Sequence, residues 1–550
     1  MLLNLFGGQT SHAPIGRGPN NGTAAVFSYF RRMKKEIWLL YVLALLKLLL
    51  PYLLQNSIYE PHRDELLYLA EGRHMAWGYM EVPPLLSVFA RLTHLLGDGM
   101  FWIKFWPSLG GAATYFLVGR LILHKSGNAF ALFLAWTPFL FGGFLRLHFL
   151  FQPNFLDVFF WTALAYAFVR YKDTGLNRYL YMAGVCMGLG MLSKYSVAFY
   201  IVALLIGLSL TSDRRIFANK HLYFACAIGL LLFLPNLLWQ FRHGFPVVFH
   251  MSELEKTQLQ YVSPMSFVVN QFLLFLPCVV IWITGLISLA VGRTYRFIAW
   301  SYVLVIVLLL IAHGKYYYAM GVYPILFAFG SLKIEDWMRG SRFALRFALT
   351  AVILVLCFFV VRIALPFLAP AQLADLYARR HVARLGVLKW EDGKDHPLPQ
   401  DFADMLSWKE MTAKFARAYD LLDSNEKAHT LLFCDNYGQA GAVNYYGPQY
   451  HLPPAYSDNA SFLYWLPENF YEFDNMVLLT DDPDEMAHPF IHDFRQAILV
   501  DSVTTPYARE RGDLIILLKG PDSTFRRMFG KKIEMDKKKT SPKLLDGVAH

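Results

Sequence analysis

Charge is what this sequence has least of. Only 17% of its 550 residues are Asp, Glu, Lys or Arg, against about a quarter in soluble domains. Cysteine is scarce as well. Of five, Cys186, Cys226, Cys278 and Cys357 sit inside apolar runs, where they act as small hydrophobes. Only Cys434 lies in polar sequence, so no disulfide framework is expected. There is no CxxC or HExxH spacing for a zinc site, no Walker loop, and no GxGxxG after a strand to cradle a nucleotide. No solenoid repeat is present. The first 27 residues lack the basic-then-apolar order of a cleavable signal, which leaves the first apolar run as an uncleaved anchor.

What is present is apolar and aromatic. Hydrophobic residues make up 56% and aromatics 16%, with a mean hydropathy of +0.34. A span needs about 20 apolar residues. Continuous runs of that order occupy 36–56, 101–122, 129–148, 155–171, 179–193, 195–211, 221–240, 266–291, 297–313, 316–332 and 345–368, roughly eleven in all. In lipid only helices or closed barrels satisfy the backbone, and these runs do not alternate as barrel strands do. The expected fold is therefore mainly α, a multi-pass helical membrane bundle.

After residue 370 the pattern changes. Short apolar stretches such as "TLLFC", "NMVLLT" and "LIILLKG" alternate with polar helical segments, which reads as a small C-terminal α/β domain. The expected organisation is a flexible N-terminal segment over 1–30, a transmembrane domain over 31–370, an α/β domain over 371–525 and a basic, disordered tail over 526–550.

The net charge of +10 follows the loops. Arg31, Arg32, Lys34 and Lys35 precede the first run, and alternation puts the loops holding Arg120, Arg170, Arg214 and Arg293 on that same side. The positive-inside rule makes this side cytoplasmic. An odd number of spans leaves the α/β domain outside.

On that outer side the ionisable residues converge. The first outer loop reads "YEPHRDELLYLAEGRHMAWGYMEVPP". Asp64 precedes a helical run, where it caps the helix or acts as a general base towards an acceptor hydroxyl, two compatible roles. Glu65 beside it is counted with the catalytic carboxylates. Asp157, in "FQPNFLDVFFW", is a carboxylate at the rim of the bilayer, expensive to bury and so a functional candidate. Arg242, His243 and Lys315 suit a phosphate, with snorkelling to headgroups as the alternative. Lys194 and Tyr317 join this substrate-binding set, although Tyr317 also fits an interfacial aromatic belt. Glu81 and His250 are candidate ligands for a divalent metal, without any supporting motif spacing.

Five stretches, "DELLYLAEGRHMAWGYMEVPPL", "FQPNFLDVFFW", "GLGMLSKYS", "WQFRHGFPVVF" and "GKYYYAMGVYP", together resemble bacterial family 39 glycosyltransferases, membrane enzymes of the GT-C fold related to protein O-mannosyltransferases and the lipid A aminoarabinose transferase. The resemblance covers most of 30–335, and "DNYGQAGAVNYYG" with "LPPAYS" extends it weakly. It implies transfer of a sugar from a polyprenyl-phosphate carrier to a lipid, glycan or protein hydroxyl on the outer face of the bacterial inner membrane, with inversion. It also implies Asp64 as base, Asp157 as its orienting partner and Glu81 beside a metal. Two departures stand out: Val82 follows Glu81 where a Lys is usual, and Leu66 or Leu67 takes the place of an Arg. A multi-pass transporter or flippase is the rival reading, although such proteins place polar sites at the midplane of repeated halves. A scaffold with a partner-binding outer domain is a third, and leaves Asp64 and Asp157 unexplained.

Overall fold

A computed structural model of the chain describes residues 21–541 except 141, 258, 341 and 342. The first 20 residues and the last nine, which hold parts of the expected flexible terminal segments, lie outside the described residues.

The chain opens with helix α1 (Asn21–Leu54), followed by α2 (Arg63–Arg73), α3 (Leu85–Leu95) and α4 (Met100–His124). Next come α5 (Ala129–Leu140), α6 (Gly143–Leu147), α7 (Asn154–Thr174), α8 (Arg178–Ser193) and α9 (Val197–Ser209). The bundle continues through α10 (Lys220–Arg242), α11 (Pro246–Thr257), α12 (Pro264–Leu273) and α13 (Val279–Val291). It ends with α14 (Arg296–Ile311), α15 (Tyr323–Trp337) and α16 (Phe343–Ala364).

Each of the roughly eleven expected segments contains helix. By length and composition, two described stretches are long and apolar enough to cross a membrane: Lys34–Leu54 and Lys220–Arg242. Two bent pairs raise this to four: Val197–Ser209 with Ser212–Ala218, at 109°, and Pro264–Leu273 with Leu276–Val291, at 68°. Shorter apolar helices such as α5 and α14 complete the bundle without meeting that length.

Bundle helices approach closely where side chains vanish. A Cβ on Gly330 of α15 would lie 1.8 Å from the Ile281 carbonyl oxygen of α13, and one on Gly285 of α13 2.0 Å from that of Leu326. Such small-residue contacts substitute for the hydrophobic drive that lipid removes.

The C-terminal part carries α17 (Pro370–Arg379), α18 (Gln400–Ala403), α19 (Trp408–Asp420), α20 (Ser424–Ala428), α21 (Tyr437–Tyr446) and α22 (Ser523–Thr540). Its sheet has strands β1 (Thr430–Cys434), β2 (Ala455–Tyr456), β3 (Asn475–Thr480), β4 (Phe494–Ser502) and β5 (Leu514–Pro521), in the order β2-β1-β3-β5-β4. β1 runs parallel to β2 and β3, with Leu432 opposite Val477, and β5 pairs antiparallel with β3 and β4. β3 is buried on both faces, as a central strand must be.

The described part of the basic tail is ordered, contrary to expectation. In α22, Phe525, Phe529 and Ile533 recur every four residues and are buried. Phe529 meets Phe433 and Phe470 edge-on, at 5.3 and 5.6 Å between ring centres. The lysines dominated the composition of this stretch, but one apolar stripe suffices to dock a helix. The α/β part also shares a core with the bundle: Ala440 and Val443 of α21 belong to the same cluster as Leu66 and Leu67 of α2.

Candidate active site

The site begins with how α2 starts. Its N-cap is His62, not Asp64: His62 Nδ1 accepts from the Asp64 amide at 3.1 Å, and Glu65 reaches back to the His62 amide at 2.7 Å. This reciprocal capping box satisfies the free amides and releases the Asp64 carboxylate for other partners.

Those partners come from two distant segments. Tyr437, at the start of α21, donates its hydroxyl to Asp64 Oδ1 at 2.8 Å, and Gln152 donates its amide to Asp64 Oδ2 at 3.0 Å. Gln152 in turn accepts from Asn154 Nδ2 at 3.1 Å, and Asn154 accepts from Lys194 Nζ at 2.6 Å. A hydrogen-bonded chain thus runs from Asp64 to Lys194. Lys194 is held over the Tyr318 ring at 4.4 Å and the Tyr317 ring at 5.7 Å. It is an electrostatic neighbour of both Asp157 and Lys315. Asp157 is 4% exposed in the first turn of α7. Tyr317 lies in electrostatic range of Asp64, and Tyr318 in range of Asp157. The structure therefore gathers Asp64, Asp157, Lys194, Lys315 and Tyr317 into one constellation.

Glu65 does not join it. Its carboxylate is fully buried, accepting from Lys104 at both oxygens (2.6 and 2.7 Å), from the Phe151 amide at 2.6 Å and from the His62 amide. Four hydrogen bonds from three donors leave no lone pair for chemistry. The role expected of Glu65 is corrected: it locks α2 to α4 and to the loop carrying Gln152. Arg242 and His243 are also placed elsewhere. Arg242 is exposed at the end of α10, while His243 stacks on Trp239 with ring centres 4.0 Å apart and bonds to its carbonyl at 2.8 Å. Among the described residues, no hydrogen bond or ion pair joins either to the Asp64–Lys194 chain.

Glu81 is held by the α/β domain. Ser461 donates its amide to one carboxylate oxygen and its hydroxyl to the other, both at 2.6 Å. Both carboxylate oxygens are so engaged, and among the described residues Glu81 and His250 do not fall in a group of three at metal-ligand spacing. Among the described residues, the cluster with metal-ligand spacing is Asp482, Glu485 and His488, on the loop after β3.

Sequence reasoning missed four residues here. Gln152 and Asn154 were visible as polar interruptions of an apolar motif, and Tyr437 stood inside a quoted stretch without a role. The fourth, Glu71, is wholly buried with neither oxygen hydrogen-bonded. Burial first, then the nearby Glu81, pushes its carboxyl well above the ordinary range. Tyr68, also buried, lies in electrostatic range of Asp64, Glu71, Tyr437 and Glu81.

The constellation of carboxylates and lysines thus sits on a helical bundle roofed by a small α/β domain. Known proteins share parts of this arrangement. The family profile of dolichyl-phosphate-mannose-protein mannosyltransferases matches residues 81–239. The lipid A galacturonosyltransferase RgtD of Rhizobium johnstonii is 27% identical over 201 residues, 35% of this chain and 41% of its own length; the match thus spans about two-fifths of that relative. Two crystal structures of ArnT from Cupriavidus metallidurans, one bound to undecaprenyl phosphate and one apo, superpose with a TM-score of 0.55 over 91% of this chain and all of theirs, at 13% and 12% identity. The chain thus shares the fold of these ArnT structures, and its residues 81–239 are similar to the mannosyltransferase family.

Proposed function

We propose that the protein transfers a sugar from a polyprenyl-phosphate carrier to a hydroxyl on a lipid acceptor, at the extracytoplasmic face of the bacterial inner membrane, with inversion at the anomeric carbon. The observation that carries this reading is the hydrogen-bonded chain from Asp64 through Gln152 and Asn154 to Lys194. It ties a carboxylate that could serve as base to a cation that could serve the leaving group.

The chemistry follows from that spacing of opposite charges. Tyr437 and Gln152 each occupy one oxygen of Asp64 and orient it; the remaining lone pairs can take the proton of an attacking hydroxyl. Lys194 and Lys315 supply positive charge where the departing phosphate gains negative charge, and the Tyr317 ring, 5.7 Å from Lys194, is in electrostatic range of Asp64. Asp157, beside Lys194, balances those cations and fixes their position. No nucleotide-binding loop is needed, because the sugar arrives on a lipid. The relative named for lipid A and the structural neighbour holding undecaprenyl phosphate support a lipid acceptor and a polyprenyl-phosphate donor.

The test combines purified protein, radiolabelled polyprenyl-phosphate sugars and a membrane lipid extract. Label should pass to acceptor lipid with the wild type and not with Asp64→Asn. Undiminished transfer by the variant removes Asp64 as base.

A further inference from the structure

A large cavity of the bundle lies far from this constellation. It encloses about 1120 Å³ between the end of α9, the end of α13 and the start of α14. α9 starts three residues after Lys194 and runs 13 residues away from it, about 20 Å at 1.5 Å per residue. α14 runs 16 residues from Arg296 towards Lys315, about 24 Å by the same rise. Both helices put the cavity at the opposite end of the bundle.

Its lining is divided. Leu286, Ile287 and Val303 form an apolar wall, and Ile287 and Val303 remain exposed on the outer surface of the bundle. Arg214, Arg293 and Arg296 line its polar end. Arg296 is partly engaged, donating to the Ala290 and Val291 carbonyls at 3.0 and 3.3 Å. Among the described residues, Arg214 and Arg293 make no ion pair. Asp213, the acid nearest Arg214 in sequence, is taken by Lys172. Beyond α9 the chain turns by 109° into the short helix Ser212–Ala218, which carries Arg214 along the end of the bundle, across the axis of α9. Trp300, half exposed, stands among these groups.

We propose that this cavity binds an anionic diacyl phospholipid. Its phosphate meets Arg214 and Arg293, Trp300 sits at the level of the headgroup, and the acyl chains lie along Ile287 and Val303. Arginine forks match phosphate oxygens, and basic pockets between membrane helices are suited to anionic headgroups. The volume exceeds the roughly 300–1,000 Å³ of small-molecule sites, and one wall opens towards the lipid. A free phosphate would have no use for that wall, and a zwitterionic lipid would bring a choline towards the arginines. This proposal is independent of the chemistry assigned to Asp64.

The experiment is native mass spectrometry of the full-length protein in detergent, titrated with phosphatidylglycerol or phosphatidylcholine. One phosphatidylglycerol should be retained, and Arg214→Gln/Arg293→Gln should weaken it by about thirtyfold. As a second measurement, phosphatidylglycerol with brominated chains should quench a component of the tryptophan emission that Trp300→Phe lacks. Equal retention of phosphatidylcholine, unchanged retention by the double variant, quenching unaffected by Trp300→Phe, or displacement by millimolar inorganic phosphate would each overturn the proposal.

Discussion

Tyr437 and Asp64 stand 373 positions apart in the chain, yet the hydroxyl of one lies 2.8 Å from the carboxylate of the other. The contact makes the α/β domain part of the site: α21 brings Tyr437 to α2, and Gly438 beside it has room only for hydrogen, since a Cβ would lie 2.5 Å from Arg63 Cγ.

The first prediction concerns this pair. Asp64→Asn should lower transfer by about 10²–10⁴-fold, the usual contribution of a positioned base. Tyr437→Phe keeps the ring that Arg63 covers at 4.8 Å and removes one donor. A loss of about tenfold in kcat/KM is expected from one hydrogen bond to a charged group. Initial rates with one donor at several concentrations measure both. Full activity in Tyr437→Phe would reduce Tyr437 to a packing contact.

The relay gives the second. Lys194→Gln should lower kcat by about 10²–10³-fold, as expected when one group stabilising a transition-state anion is removed. Asn154→Ala should act through Lys194, so the double variant should be little worse than Lys194→Gln alone. Fully additive losses would show that Asn154 does not position the lysine.

Glu65 and Lys104 give a prediction about stability. Glu65→Gln leaves a buried ammonium unpaired and should cost about 3–5 kcal/mol. Glu65→Gln/Lys104→Met, which removes both charges, should recover most of the loss in a thermal unfolding scan. A Glu65→Gln variant that melts like the wild type yet transfers no sugar would restore a catalytic role to this residue.

The buried Glu71 sets a pH dependence. Its ordinary value of 4.5 is raised in the folded protein, chiefly by burial and then by Glu81. The folded state therefore binds more protons than the unfolded state between these two values, and stability falls as pH rises across that window. The contribution is complete below 4.5 and is lost as pH climbs towards the raised value. Glu71→Gln mimics the protonated form and should melt higher than the wild type at neutral pH, with a flatter dependence on pH. Parallel melting curves for the two proteins from pH 5 to 8 would contradict the assignment.

The readings taken from the sequence failed and held for different reasons. Asp64 was weighed as a helix cap because carboxylates favour that position, but the ring nitrogen of His62 took the role. Glu65 was placed with the catalytic acids because its neighbour was, and only the arrival of Lys104 from 39 residues away disclosed a closed ion pair. Arg242 and His243 were grouped with the phosphate ligands by their charge and sidedness; α10 ends with one exposed and the other folded onto Trp239. Lysine content made the tail look disordered, whereas three buried side chains at helical spacing held it in place.

What the sequence determined by itself was the membrane character, the change of composition near residue 370 and the rarity of charge, which made each carboxylate and lysine in an apolar run stand out. These follow from transfer energies and periodicity, which are local. Tertiary structure alone decided which of those charges would meet. Asp64 reaches Lys194 through Gln152 and Asn154, and Glu65 closes on Lys104, because hydrogen bonds select partners by distances of about 3 Å. Such distances arise only when helices and an α/β domain far apart in the chain pack against each other.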